Sequence, residues 1–438
     1  MIEFLTLLLG LVAGTRTVEL AVRPPVTAVE LRLDGEVVGR VERPPWRLEI
    51  DLGDELSPHL LTAVGLDQDG SEVAQTDQWI NLPRGSVEAR WILEAGEAGR
   101  LGTARLAWTS VQETRPKSVR VAFDGVEIGI GDDDLVVLPD YEREQIHLLT
   151  AELEFPGGGV VRAEAVFGGG FGEGVSTELT AIPVIAESGD RIPGRLDLAG
   201  ALVGPEGSPL EPVSIESSGA DVVVVTDRTS RLVAHDKILG VEIRLQTRIG
   251  TAGRDLLPLG ERNRIAFVWP VLSQRRIGSG QLLDPSLFPQ RTLDRVPGSG
   301  LVALLAGARA PAARQRVADA VASAAVTAAA GNRPRAVVLV VDPATPDGSA
   351  FTPRATREYL ARLHVPLVVW TFAQDPARVA TAGGEAEAVG EWRRLRAAVA
   401  SLREALERQR IVWVRGSYLP QAIRLAAGVR GFEIAGTE

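Results

Sequence analysis

Asp221-Val-Val-Val-Val-Thr-Asp227-Arg-Thr229-Ser230-Arg231 decides the reading of the C-terminal half. Ala336-Val-Val-Leu-Val-Val-Asp342-Pro-Ala-Thr-Pro-Asp-Gly348 repeats its design. Each is a continuous apolar, mostly β-branched run that ends at an aspartate. A strand with one wet face alternates apolar and polar residues, whereas a strand covered by helices on both faces need not. These runs therefore predict parallel strands inside an α/β sheet. Ligands of such sheets bind beyond the carboxyl ends of the strands, which is where Asp227 and Asp342 would stand together.

Working outward, Val241–Thr247 and Arg264–Trp269 read as further strands. Pro311–Ala330 is an alanine-rich helix stopped by Gly331-Asn332. Thr352 caps a helix that has Pro353 at its first position and runs to about Leu363, and Val365–Phe372 is another buried strand. This alternation predicts a doubly wound, mainly parallel sheet with right-handed crossovers. Trp392, Leu395, Val399, Leu402 and Leu406 recur at spacings of three and four. Two heptads are short for a coiled coil, so the stripe is expected to pack on its own sheet. The tail (Arg410–Arg415, Ala422–Ala426, Gly431–Gly436) is expected to end the same domain as strands, giving an α/β unit over residues 219–438.

The first 170 residues contain an internal repeat. Val29-Glu-Leu-Arg-Leu-Asp34-Gly35-Glu-Val-Val-Gly39 is echoed by Val119-Arg-Val-Ala-Phe-Asp124-Gly125-Val-Glu-Ile-Gly129, and His59-Leu-Leu-Thr-Ala63 recurs as His147-Leu-Leu-Thr-Ala151. The intervals from turn to string differ by two residues, so one module is used twice. Strands alternate apolar and polar, and Asp-Gly marks tight turns. Two Ig-like β-sandwiches follow, over 15–84 and 85–175, with a small β-subdomain or linker over 176–218. His59 and His147 are read as structural, each imidazole closing a turn into a strand.

Of 438 residues, 24% are charged and the net charge is −10, which argues against a general nucleic-acid binder. There is no cysteine, so disulfides, thiolate catalysis and cysteine metal sites are excluded, and four histidines make histidine-rich metal chemistry improbable. Gly-x-Ser-x-Gly, His-Glu-x-x-His and phosphate-loop patterns are missing, which points away from an enzyme. His235 is the one candidate base near Asp227, and a surface or interface role is expected for it. The apolar run Phe4–Val12, followed by Ala13-Gly14, has the length of a signal-peptide core. Residues 1–14 are therefore expected to be a cleaved leader, the mature protein to begin near Thr15 in a secreted, periplasmic or cell-envelope location, and no later segment to insert in a membrane.

The two strand–aspartate loops make residues 219–438 resemble the von Willebrand factor A (VWA) domain. Its metal-dependent adhesion site takes an Asp-x-Ser-x-Ser loop, a threonine from a later loop and an aspartate after the fourth strand. The resemblance places Asp227, Thr229 and Asp342 as ligands of Mg²⁺, whose open position would accept a partner's carboxylate. Arg231 stands where the second serine belongs, Gln315 falls near the threonine, and Pro343 replaces the usual glycine. Arg231 is expected to pair with Asp227 or Asp342. The whole chain resembles exported bacterial proteins with Ig-like repeats and a VWA-like domain. The reading is a non-enzymatic protein-interaction or adhesion module with a degenerate, cofactor-free site. A Mg²⁺-dependent ligand binder is the alternative, and a hydrolase using unpatterned carboxylates ranks third.

Overall fold

A computed structural model describes residues 2–8, 10–83, 87–95, 101–110, 115–131, 133–142, 144–155, 160–168, 179–187, 198–226, 263–271, 288, 290–294, 315–341, 347–373, 375–376 and 385–437. The predicted strand Val241–Thr247 lies outside them. No helix among them is long and apolar enough to cross a membrane.

The repeat folds as expected into two antiparallel sandwiches. The first contains β1 (Ile2–Phe4), β2 (Thr15–Val22), β3 (Ala28–Leu33), β4 (Glu36–Val41), β5 (Arg47–Asp51), β6 (His59–Leu66) and β7 (Glu72–Ile80). Sheet β4-β3-β6-β7 faces sheet β1-β2-β5 across Val18, Leu20, Val29, Leu31, Ile50 and Leu61. The second contains β8 (Val87–Ala95), β9 (Leu101–Ser110), β10 (Ser118–Phe123), β11 (Val126–Ile128), β12 (Leu135–Val137), β13 (Ile146–Glu154) and β14 (Val160–Gly168). Its sheets, β11-β10-β13-β14 and β12-β9-β8, have the same order and enclose Trp91, Leu106, Val121, Phe123, Leu149 and Phe167.

The turns explain the repeated letters. Asp34 and Asp124 sit at φ 53° and 49°, each followed by a glycine at positive φ, the left-handed pair that a two-residue hairpin requires. One carboxylate oxygen accepts a backbone N–H of the neighbouring strand β6 or β13 (Leu60 or Leu148, 2.8 Å each), and the other accepts Nδ1–H of His59 or His147 at 2.7 Å. Both histidines thus close a turn onto a strand.

The run read as a cleavable leader is built into the first sandwich: Ile2–Phe4 pairs with Leu20–Val22, and Leu8, Leu11, Val12 and Ala13 are buried. The strand order puts β1 where the second copy has β8.

Next come β15 (Leu179–Ala186), β16 (Leu202–Val203) and β17 (Pro212–Glu216), then the α/β part: β18 (Asp221–Thr226), β19 (Arg264–Val268), β20 (Gln290–Asp294), β21 (Arg335–Val340), β22 (Leu367–Thr371) and β23 (Ala386–Ala388). The sheet order is β20-β19-β18-β21-β22-β23, with five parallel strands and β20 antiparallel at the edge. Helices α1 (Val317–Ala329) and α2 (Pro353–Arg362) cover one face, and α3 (Trp392–Arg408) covers the other through Leu395, Val399, Leu402 and Leu406. Burial on both faces is why Val222–Val225 shows no alternation. Thr352 caps α2 as expected, its hydroxyl accepting Ala355 N–H at 3.1 Å. After α1 the chain turns at Gly331, where a Cβ would lie 2.1 Å from an Asp221 carboxylate oxygen.

The tail does not extend this sheet. β24 (Gln409–Arg415) pairs antiparallel with β15 and β17, β26 (Phe432–Ile434) joins the far side of β15, and β25 (Arg424–Leu425) pairs with β16. Strand pairing therefore unites the tail with the 176–218 segment across the sequence boundary at residue 219. Ile182, Val184, Leu202, Val412, Val414 and Phe432 form their shared core.

Candidate functional site

The carboxyl edge of the parallel sheet is the first place to look. Strands β18 and β21 are hydrogen-bonded neighbours with Thr226 opposite Val340, so the chain leaves at adjacent points toward Asp227 and Asp342. From β18 the chain passes to β19 on one side and later to β21 on the other, which makes this pair the topological switch point. Asp227, Thr229, Arg231, His235 and Asp342 themselves lie outside the described residues.

Gln315 is described. It forms an isolated antiparallel bridge with Val271, and its carbonyl accepts Gly348 N–H at 2.9 Å. Its side chain is buried (2% exposed), yet neither amide atom has a hydrogen-bond partner among the described residues. Helix α1 starts two residues later, at Val317, rather than at Pro311.

Sequence reasoning missed how this helix start is closed. Asp347 accepts Val317 N–H at 2.8 Å and Ala318 N–H at 3.1 Å, while Ser349 Oγ accepts Asp319 N–H at 3.1 Å and donates to Asp347 at 2.5 Å. Asp319 in turn accepts the N–H groups of Ala350 and Phe351 and pairs with Arg316. Burial raises the pKa of Asp319, against the pull of those backbone donors and of Arg316. The first free N–H groups of the helix, otherwise an anion site, are thus consumed by the protein's own side chains. The signal was Asp347-Gly-Ser349 just ahead of the Thr352-Pro353 cap. The described donors do not fit Mg²⁺ by themselves: Asp319 and Asp347 are spent on N–H groups, and Gln315 offers a single neutral oxygen.

The amino edge holds what the sequence did not announce. Asp221, Arg264 and Arg335 open adjacent strands and are register partners. Arg264 grips Asp221 (2.8 and 3.2 Å) and reaches Glu152 of the second sandwich at 3.5 Å. Arg333 lies 3.4 Å from Glu152 and 3.7 Å from Asp221, and donates to the Gly219 carbonyl at 2.7 Å. Arg162 pairs with Glu216, lies 3.5 Å from Glu164 and stacks over Trp413. Burial pushes the Glu152 carboxyl up, but Arg264, Arg333 and Arg120 together outweigh it and hold it below its ordinary value. Glu164 is raised, first by burial and further by Glu216, because its one nearby cation is shared. Among the described residues Arg335 has no carboxylate in contact. It donates to the carbonyls of Ala329, Leu363 and His364 at the ends of α1 and α2, and burial lowers its pKa to about 10. Such a dense set of paired charges fastens the second sandwich to the sheet, with Leu148, Val166, Val213, Ile411 and Trp413 packed beside it.

No protein-family model matches the chain, and no curated protein does. Among solved structures, a fibronectin(III)-like module of Clostridium thermocellum CbhA is similar at 19% identity, over 18% of this chain and 93% of that one, with a TM-score of 0.17. Proximal thread matrix protein 1 from the mussel byssus, in a structure described as having a zinc-occupied MIDAS motif, is 10% identical over 48% of this chain, with a TM-score of 0.29. This chain spans 50% of that protein's length. The human COPII-coat protein Sec24c is 10% identical over 46% of this chain and 40% of its own, with a TM-score of 0.26. At these scores the likenesses carry no argument, and the architecture rests on the strand pairing above.

Proposed function

We propose that this chain is a non-enzymatic protein-interaction module whose binding edge is the carboxyl end of a VWA-like sheet. The observation that carries it is the switch point between β18 and β21, from which the Asp227 and Asp342 loops depart side by side. Support comes from the way the rest is fastened: both sandwiches are bonded to the α/β unit, so a partner would meet a surface ordered in advance. The test is a photo-crosslinking side chain at Thr229. It is expected to capture a protein from native extract, and charge reversal (Asp227→Arg with Asp342→Arg) is expected to abolish capture. Capture that survives both reversals removes the edge from consideration.

A Mg²⁺-assisted version of the same edge is favoured by one observation, the buried Gln315 amide oxygen with no partner. Asp227, Thr229, Asp342 and that oxygen would hold the ion, which would supply an open position for a partner's carboxylate. Our reading is that Arg231 disfavours it, so the wild-type protein shows no Mg²⁺-dependent thermal shift. A saturable shift abolished by Asp227→Ala establishes the metal-dependent version instead. We place the protein outside the cytoplasm on the strength of the Phe4–Val12 run. Recovery of native protein solely from the cytosol counts against that location.

A further inference from the structure

The first thirteen residues do more than complete a sheet. Along residues 2–8 the side chains alternate: Ile2, Phe4 and Leu8 turn inward, while Glu3, Leu5 and Leu7 are exposed. The segment is then held by two carboxamides from the end of β7. Gln78 Oε1 accepts Leu8 N–H at 2.6 Å and its Nε2 donates to the Thr6 carbonyl at 3.2 Å. Asn81 Oδ1 accepts Val12 N–H at 2.7 Å, and its Nδ2 donates to the carbonyls of Val12 (2.8 Å) and Ser57 (2.6 Å). Asn81 stands at φ 56°, and its own carbonyl accepts the buried Tyr359 hydroxyl of α2 at 2.7 Å.

At that clamp Val12 stays in the sandwich core while its neighbours turn the other way. Leu11 and Ala13 belong with Leu56 to the core formed by Phe351, Tyr359, Leu360 and Leu363 of the α/β part. Arg362 adds bonds to the Leu56 carbonyl (3.0 Å) and to Glu55 (2.6 Å). Gly14 N–H donates to the Gly53 carbonyl, and Val12, Ala13 and Gly14 are all buried.

We infer that residues 2–13 are a strap that couples the first sandwich to α2, with Asn81 as its buckle, and that folding closes the Ala13–Gly14 bond to proteases. A protease needs an extended, accessible stretch of chain, and here both sides of the bond are buried and hydrogen-bonded. Cutting at that bond and closing the strap therefore compete for the same residues. A chain cut before it folds lacks the strap, whereas a chain that folds first keeps it.

The experiment is digestion of the full chain with an elastase-type protease that cuts after small residues, read by intact mass. The Ala13–Gly14 bond in folded wild-type protein is expected to resist, and Asn81→Ala is expected to expose it at least about tenfold faster, since two buried bonds to Val12 of the strap and one to the Ser57 carbonyl disappear together. Amide exchange at Val12 and across α2 is expected to accelerate in step. Should Asn81→Ala fail to fold, Tyr359→Phe removes one bond between buckle and helix and is read by the same exchange, where faster α2 exchange supports the strap. Cleavage of the native bond at the rate of urea-unfolded chain overturns the proposal. So does wild-type exchange in both variants, or a chain beginning at Thr15 that keeps the wild-type thermal midpoint and α2 protection.

Discussion

The two copies of the repeated module place identical letters in different surroundings. In both, an aspartate at a left-handed turn position binds the histidine and the backbone of the strand that starts there. His59 stops at that, since its Nε2 is buried without a partner. His147 also sets Nε2 2.8 Å from the Glu142 carbonyl oxygen, stacks on Phe123 at 5.2 Å and meets Tyr141 edge-on at 5.0 Å. The outer sheet face diverges further. Gln75 and Asp77 of the first copy are exposed, whereas their register equivalents Arg162 and Glu164 are largely covered at the amino edge of the parallel sheet, with side chains 6% and 13% exposed. A module reused within one chain keeps the bonds that define its own turn, while its faces are free to change with what covers them.

The sharpest way to break this comparison is to truncate the register-equivalent pair. Arg162→Ala leaves the largely covered Glu216 and Glu164 without the guanidinium that pairs with them, so a loss of about 3–5 kcal/mol in urea unfolding is expected. Gln75→Ala is expected to stay within about 0.5 kcal/mol. Equal losses would mean that the second copy's face is not the fastening it looks like.

Next in size are the histidines. His147→Ala removes two hydrogen bonds and a ring stacked among aromatics, for about 2–3 kcal/mol, whereas His59→Ala removes one bond, for about 1 kcal/mol. A reversed order, measured by the same unfolding curves, would show that the aromatic surroundings of His147 add nothing.

The smallest effect is on pH dependence within the second copy's face. Glu164 is raised above 4.5, so the folded state keeps a proton that the unfolded chain gives up. That contribution is complete below 4.5 and fades as pH rises through the raised value. In Glu164→Gln it is gone, so stability relative to wild type is expected to rise with pH across that window. Glu152, held below 4.5, has the opposite sign: its contribution is present above 4.5 and is lost as pH falls through its lowered value. Urea midpoints for Glu164→Gln and Glu152→Gln taken across the acid range should therefore diverge. Parallel curves would contradict the assignment.

How far the sequence carried can be judged from particular stretches. Val222–Val225 and Val337–Val341 were legible as buried parallel strands because missing alternation has one physical cause, burial on both faces. Gln315 was legible as a position near the edge, but its unpartnered amide was not. The place that the described residues of the Phe4–Val12 run take in the first sandwich was not legible either. An edge strand with exposed Leu5 and Leu7 beside buried Leu8 shows no polar alternation, so it reads like a leader's apolar core.

By itself, then, the sequence determined the repeat, its Asp-Gly turns, the histidine clamps, the apolar strands and the Thr352 cap of α2. Each of these rests on backbone preferences and hydrogen bonds between residues close in the chain or within one copy of the module. Only the tertiary structure decided that β24 returns to β15 and β17, that Glu152 and Arg162 meet Arg264 and Glu216, and that Asn81 binds Val12 and Tyr359. Those choices join segments far apart in the chain, and their free energy comes from burial that no single segment can achieve alone.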